Sequence, residues 1–222
     1  MKTISSILII LSFHFCISEP TRVPNSDYPA DTWAENSDTK ELYAIKITQI
    51  NPEPKPIMEA TLEGDIDKVK SLLKAGIYDL NEKDSNGDTA LHYATGYQVG
   101  TDAQHLTLVS EIKIVKLLLQ NKAEVNIKNN SGETPLIYAS FYCERDMIQL
   151  LLDFKANANL ETMTGDIPLH YGIRCSLPFV KLLVENTISL NKKNLNGKTP
   201  LALAKEIQNG KVISYLISQG AK

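Results

Sequence analysis

The sequence predicts an all-α repeat fold, a solenoid of helix-turn-helix units joined by hairpin-like turns, and three observations predict it. A glycine turn recurs as Gly87-Asp-Thr-Ala-Leu-His92, Gly132-Glu-Thr-Pro-Leu-Ile137, Gly165-Asp-Ile-Pro-Leu-His170 and Gly197-Lys-Thr-Pro-Leu-Ala202. The glycines are 45, 33 and 32 residues apart, and Asn81, Asn126, Asn159 and Asn191 recur at the same intervals, so the period covers a whole structural unit. An apolar pattern, Ile114-Val115-x-Leu117-Leu118, returns at Met147 to Leu151, Phe179 to Leu183 and Val212 to Leu216, a spacing that lines one side of a helix. In such a chain function belongs to a surface built by stacked units.

The N-terminus, MKTISSILIILSFHFCIS, carries Lys2, an apolar stretch from Ile4 to Ile17 and small residues at Cys16 and Ser18 before Glu19. This is the anatomy of a signal peptide over residues 1–18, with cleavage expected before Glu19. Serines and His14 interrupt the stretch, which is shorter than the ~20 apolar residues a bilayer span needs. Phe15 is too bulky for the residue that precedes a lipid-modified cysteine.

Residues 19–56 read as a flexible leader. They are polar and proline-rich up to Lys40, alternate at Tyr43, Ile45 and Ile47 in a way compatible with a short strand, and close with the stiff spacer Asn51-Pro-Glu-Pro-Lys-Pro56. The repeat domain spans 57–222 in five units, about 57–84, 85–129, 130–162, 163–194 and 195–222. Within a unit the first helix starts at Thr-Pro, with Thr134 or Thr199 as N-cap and Pro135 or Pro200 at the first helical position. The second helix carries the apolar stripe and ends in small-residue words such as Lys122-Ala123, suited to a left-handed C-cap. The second unit holds about 12 extra residues within 95–113. There Gly96 and Gly100 are expected to end the first helix, and Asp102 or Ser110 to cap a lengthened second one.

These words resemble ankyrin repeats. Gly-Asp-Thr-Ala-Leu-His-Tyr-Ala (87–94), Gly-Glu-Thr-Pro-Leu-Ile-Tyr-Ala (132–139) and Ala156-Asn-Ala-Asn159 match that family's turn-helix and Gly-Ala-Asp-x-Asn segments. Departures are Ile167 at the N-cap threonine, Ile137 and Ala202 at the motif histidine, Cys143 at the glycine between the helices, and a one-residue deletion at that place in the fourth unit. Ile167→Thr is expected to supply the missing cap and stabilise the fold, provided the isoleucine is not buried in the core between repeats. The resemblance implies a non-enzymatic module that binds a partner protein on the concave face formed by turn tips and first helices. Transferred position by position, the protein-binding residues are Asn86, Asp88, Asn130, Glu133, Asn196 and Lys198 on the tips. On the helices they are Tyr97, Phe141, Tyr142 and Arg174, types that dominate protein interfaces. A repeat protein behind a signal peptide resembles periplasmic accessory proteins, and a monomer is expected. The alternatives are a secreted effector acting on a host protein and a structural spacer.

Other chemistry finds little support. The chain has 23 Lys and Arg against 26 Asp and Glu, a net charge of -3, so the positive excess of a nucleic-acid binder is missing. His92 and His170 lie two repeats apart, roughly 20 Å at ~10 Å per stacked unit. They cannot share a metal, and a structural role at the turn is expected of both. No motif pairs a nucleophile with a base, so no enzyme and no cofactor are implied. Asp84, Asp88, Glu133 and Asp166 lie on turns and are expected to be solvated. Cys143 and Cys175 are one period apart, hence near-equivalent in adjacent repeats. Helices stack ~8–10 Å apart while a disulfide needs its Cα atoms within about 7 Å, so two separate thiols are favoured over a bridge.

Overall fold

The computed structural model describes residues 55–96 and 104–222. The signal-like stretch 1–18, the leader up to residue 54 with its candidate strand, and Tyr97 lie outside them. Among the described residues ten helices form five antiparallel pairs: α1 Pro56–Leu62 and α2 Ile66–Ala75, α3 Ala90–Gly96 and α4 Gln104–Gln120, α5 Pro135–Tyr142 and α6 Arg145–Asp153, α7 Pro168–Gly172 and α8 Leu177–Glu185, α9 Pro200–Glu206 and α10 Gly210–Ser218. The first helices pack in series, α1 on α3, α3 on α5, α5 on α7 and α7 on α9, as an inner row; the second helices stack outside them.

Local chemistry sets the helix limits as the sequence predicts. The hydroxyls of Thr134 and Thr199 accept the N–H groups of Ile137 and Ala202, with proline next to each cap. At the far ends of the outer helices, Lys122 and Lys155 take the left-handed conformation, at φ 71° and 70°. The alanine after each turns back into the core: Ala123 N–H donates to Leu118 O at 3.0 Å and Ala156 N–H to Leu151 O at 2.9 Å. The extra residues of the second unit are partly helical, since α4 begins at Gln104, two residues past Asp102, and Ser110 lies inside it. Ile114, Val115, Leu118, Met147, Ile148, Leu151, Phe179, Val180, Leu183, Val212 and Leu216 are all buried in one continuous core.

Polar links between repeats explain the two recurring words. Each tip closes on itself, as in Asp84 N–H to Asp88 O at 2.9 Å, and hands one bond to the next: Asn130 N–H to Asn86 O, Met163 N–H to Ser131 O and Leu195 N–H to Thr164 O, at 2.8–2.9 Å. At the opposite end of the repeats the periodic asparagines form a ladder. The Oδ1 atoms of Asn81, Asn126, Asn159 and Asn191 accept the backbone N–H of Glu124, Asn157, Ile188 and Lys222 in the following unit, at 2.6–2.8 Å.

Two expectations are corrected. Cys143 and Cys175 form a disulfide with Cα atoms 5.5 Å apart. The cysteines are not equivalent positions: the deletion in the fourth unit shortens the turn after α7, so Cys175 sits one step earlier relative to its glycine than Cys143 does. Ile167 is buried at 2% exposure within the core, which removes the condition under which threonine there would stabilise. Its side chain offers no acceptor, but its backbone N–H donates to His170 Nδ1 at 3.1 Å.

Candidate functional site

The inner helices and tips separate into a fixed polar lattice and an aromatic patch. Among the tip residues, Asp88 is not solvated. It is buried at 5% exposure, and its Oδ1 accepts from Asn129 Nδ2 and Tyr138 Oη, both at 2.9 Å. Buried carboxylates stand only when hydrogen-bonded, so Asp88 holds the second repeat to the third. Glu133 is half-buried and accepts from Asn129 Nδ2 at 3.0 Å. Asp84 accepts from Tyr93 Oη, and Asp166 from Thr164 Oγ1 and Asn194 Nδ2, both at 2.7 Å. These carboxylates are occupied by their neighbours.

Asn130 is exposed, although its Nδ2 donates to Ser85 O at 2.9 Å; Asn86 supplies the carbonyl that Asn130 N–H meets. Asn196 is exposed on the last tip. Lys198 is half-buried and pairs with Glu206 at 2.8 Å, a surface pair of small energetic weight. Beside them Met163 and Leu195 are 73% and 79% exposed, apolar side chains on adjacent tips.

The two motif histidines act as staples. His92 Nδ1 accepts the Thr89 N–H at 3.1 Å, leaving Nε2–H to donate to Glu133 O in the next repeat at 3.1 Å. His170 repeats the geometry, from Ile167 N–H to Lys198 O at 3.2 Å. Burial lowers the His92 imidazole from its usual 6.5 to about 4 and lowers His170 as well, so both are neutral near pH 7. At Ile137 the staple is missing, and no such bond joins the third repeat to the fourth.

The C-terminal ends of α5 and α7 carry the patch. The Arg174 guanidinium lies 3.9 Å above the Phe141 ring, and its Nη2 donates to Phe141 O at 2.7 Å. Phe141 meets Tyr142 edge to face at 5.1 Å and Tyr171 at 6.4 Å. Phe141 is exposed, while Tyr142 and Arg174 are half-buried. The structure therefore brings Phe141, Tyr142 and Arg174 together. The tip residues sit one inner helix away, about 12 Å for eight residues at ~1.5 Å each.

A tyrosine row completes the face: Tyr93, Tyr138 and Tyr171, each six residues after its glycine, recur along the inner helices. Sequence reading missed them, although their period was visible. Tyr138 also explains Gly96, where a Cβ would fall 2.3 Å from the Tyr138 ring. Among the described residues no group of His, Cys, Asp and Glu is arranged to hold a metal ion, and no helix is long and apolar enough to cross a membrane.

A row of paired helices with ordered tips and an aromatic inner surface defines a repeat protein built for recognition. The chain belongs to the ankyrin-repeat family: the family model for ankyrin repeats in three copies matches residues 57–162 and 103–194. It is 34% identical over 93 residues to ankyrin repeat domain-containing protein 13C-A of Xenopus laevis, covering 42% of this chain and 16% of that protein. It is 39% identical over 92 residues to serine/threonine-protein kinase 12 of Arabidopsis thaliana, covering 41% and 17%. A putative ankyrin repeat protein of fowlpox virus is 37% identical over 103 residues, covering 43% and 19%. The matches span less than a fifth of these relatives, and ankyrin repeats are interaction modules.

Proposed function

We propose that this protein is an exported, non-enzymatic, monomeric binding module that holds a partner protein against its inner face, with Phe141, Tyr142 and Arg174 as the anchor. The observation that carries the reading is the division of labour on that face. The carboxylates and histidines are engaged in holding the stack, while an aromatic ring with a guanidinium stacked on it is presented outward. Aromatic and arginine side chains in a central patch concentrate binding energy. Asn130, Asn196 and Lys198 extend the surface along the tips.

Export is supported by the signal-like residues 1–18 and by the Cys143–Cys175 pair, since disulfides persist in oxidising compartments. Residence in the periplasm is the reading; release to act on a host protein is its rival. Two measurements test the whole. Affinity capture with residues 19–222 should retain a partner that Phe141→Ala loses, and equal capture by both would sink the site. The intact mass of the exported protein should begin at Glu19; a mass that retains Met1 would sink the export.

A further inference from the structure

We propose that Cys143 is a site of thiol–disulfide exchange with a dithiol, and that exchange there unlatches the aromatic patch. The consequence for binding rests on the reading of that patch given above. Three observations converge. The disulfide joins the two segments that build the patch, because Cys143 follows Phe141-Tyr142 and Cys175 follows Arg174. It also spans the interface where Ile137 replaces the histidine, so the covalent link stands where the second-to-third and fourth-to-fifth interfaces have a staple. Cys143 is exposed in a left-handed turn at φ 63°, whereas Cys175 is buried at 4% exposure. An attacking thiolate therefore meets the Cys143 sulfur first.

The exchange balances. A thiolate of the dithiol bonds to Cys143 Sγ, the Cys143–Cys175 bond breaks, and Cys175 leaves as a thiolate that takes up a proton. The second thiolate of the dithiol then attacks its own sulfur in the mixed disulfide. The dithiol departs as a disulfide, and Cys143 is released as a thiolate to be protonated. Two electrons pass from the dithiol to the protein.

The repeats stay stacked after reduction, because Met163 N–H to Ser131 O and Ile188 N–H to Asn159 Oδ1, which join the same two units, are untouched. The turn from Ile173 to Ser176 gains freedom, and with it the Arg174 guanidinium over Phe141. Local opening of this kind appears as amide exchange confined to one region.

The test uses the full chain in its oxidised form, dithiothreitol as the probe and no denaturant. Thiol alkylation should report two new thiols. Hydrogen exchange should rise at 141–144 and 172–177 by about tenfold or more beyond any rise at 89–95 and 199–206, where loss of global stability alone acts. The Cys143→Ser/Cys175→Ser variant should show the reduced pattern in either buffer; should it not fold, reduced wild type alone decides. Thiols that appear only in urea overturn the exchange site. Unchanged exchange in the reduced protein overturns the latch, and so does uniform acceleration through all repeats. No partner enters these readouts. Failure of the recognition reading would show separately, as full affinity of oxidised Phe141→Ala.

Discussion

His92 makes the stability of this protein sensitive to acid, by an amount the structure supplies. Unfolded, the imidazole titrates near 6.5; folded, burial lowers it to about 4, against the opposing pull of the Glu133 carbonyl and of the Glu133 and Asp84 charges, with Lys83 adding to the drop. The folded protein therefore refuses a proton that the unfolded chain accepts. The stabilisation is complete above about pH 6.5 and is lost as pH falls toward about 4. At about pH 5 the loss amounts to roughly 2 kcal/mol, a sizeable share of the 5–15 kcal/mol typical of a domain. Glu111 runs the other way. Burial and the nearby Glu144 raise its carboxyl to about 7, so acidification relieves a penalty there and masks the His92 effect in wild-type protein alone.

The variant His92→Gln removes the titration and keeps Glu111. Near pH 7.5 it should lose about 1–3 kcal/mol from imperfectly replaced buried hydrogen bonds. Urea unfolding of both proteins at about pH 7.5 and about pH 5 should then show the wild-type advantage shrinking by about 2 kcal/mol. A difference that stays constant within about 0.5 kcal/mol would mean that His92 is protonated in the fold, and the staple geometry would have to be abandoned.

Replacing both Cys143 and Cys175 by serine should lower urea stability by about 3–4 kcal/mol, the chain-entropy value for a loop of this length; a loss below about 1 kcal/mol would contradict it. Ile167→Thr should lower the melting temperature, because removing buried apolar volume outweighs a cap gain of about 0.5–2 kcal/mol; a higher melting temperature would reverse that ranking. Tyr142→Ala should weaken partner affinity by about 2 kcal/mol while moving stability by less than about 1 kcal/mol, as titration calorimetry and thermal melts would show. Replacing residues 97–103 by a short turn should leave that affinity intact, and lost affinity would move the site toward the insertion.

The periodic words were legible because they encode short-range events: a glycine turn, a Thr-Pro cap, an amphipathic helix. Asp88 was not legible as a buried group, since its partners, Asn129 and Tyr138, lie 41 and 50 residues further along the chain. The asparagine period was visible while its reason was not, for the same cause: each side chain serves a backbone 29 to 43 residues further on. The disulfide was misread because a period treats positions as equivalent, and a single deletion broke the equivalence at Cys175. Phe141, Tyr142 and Arg174 were found by family position; that Arg174 stacks on Phe141 depends on the register of two helices.

The asparagine ladder has a direction. Every bond in it runs from a side chain in one unit to a main-chain N–H in the next, so the giving unit must carry a particular residue while the receiving unit need only have a backbone. Copying a whole unit copies half of a joint that any neighbour can complete. An array assembled this way can lengthen or shorten by whole units without retuning the flanking sequences, leaving the outward residues of each new copy free to diverge.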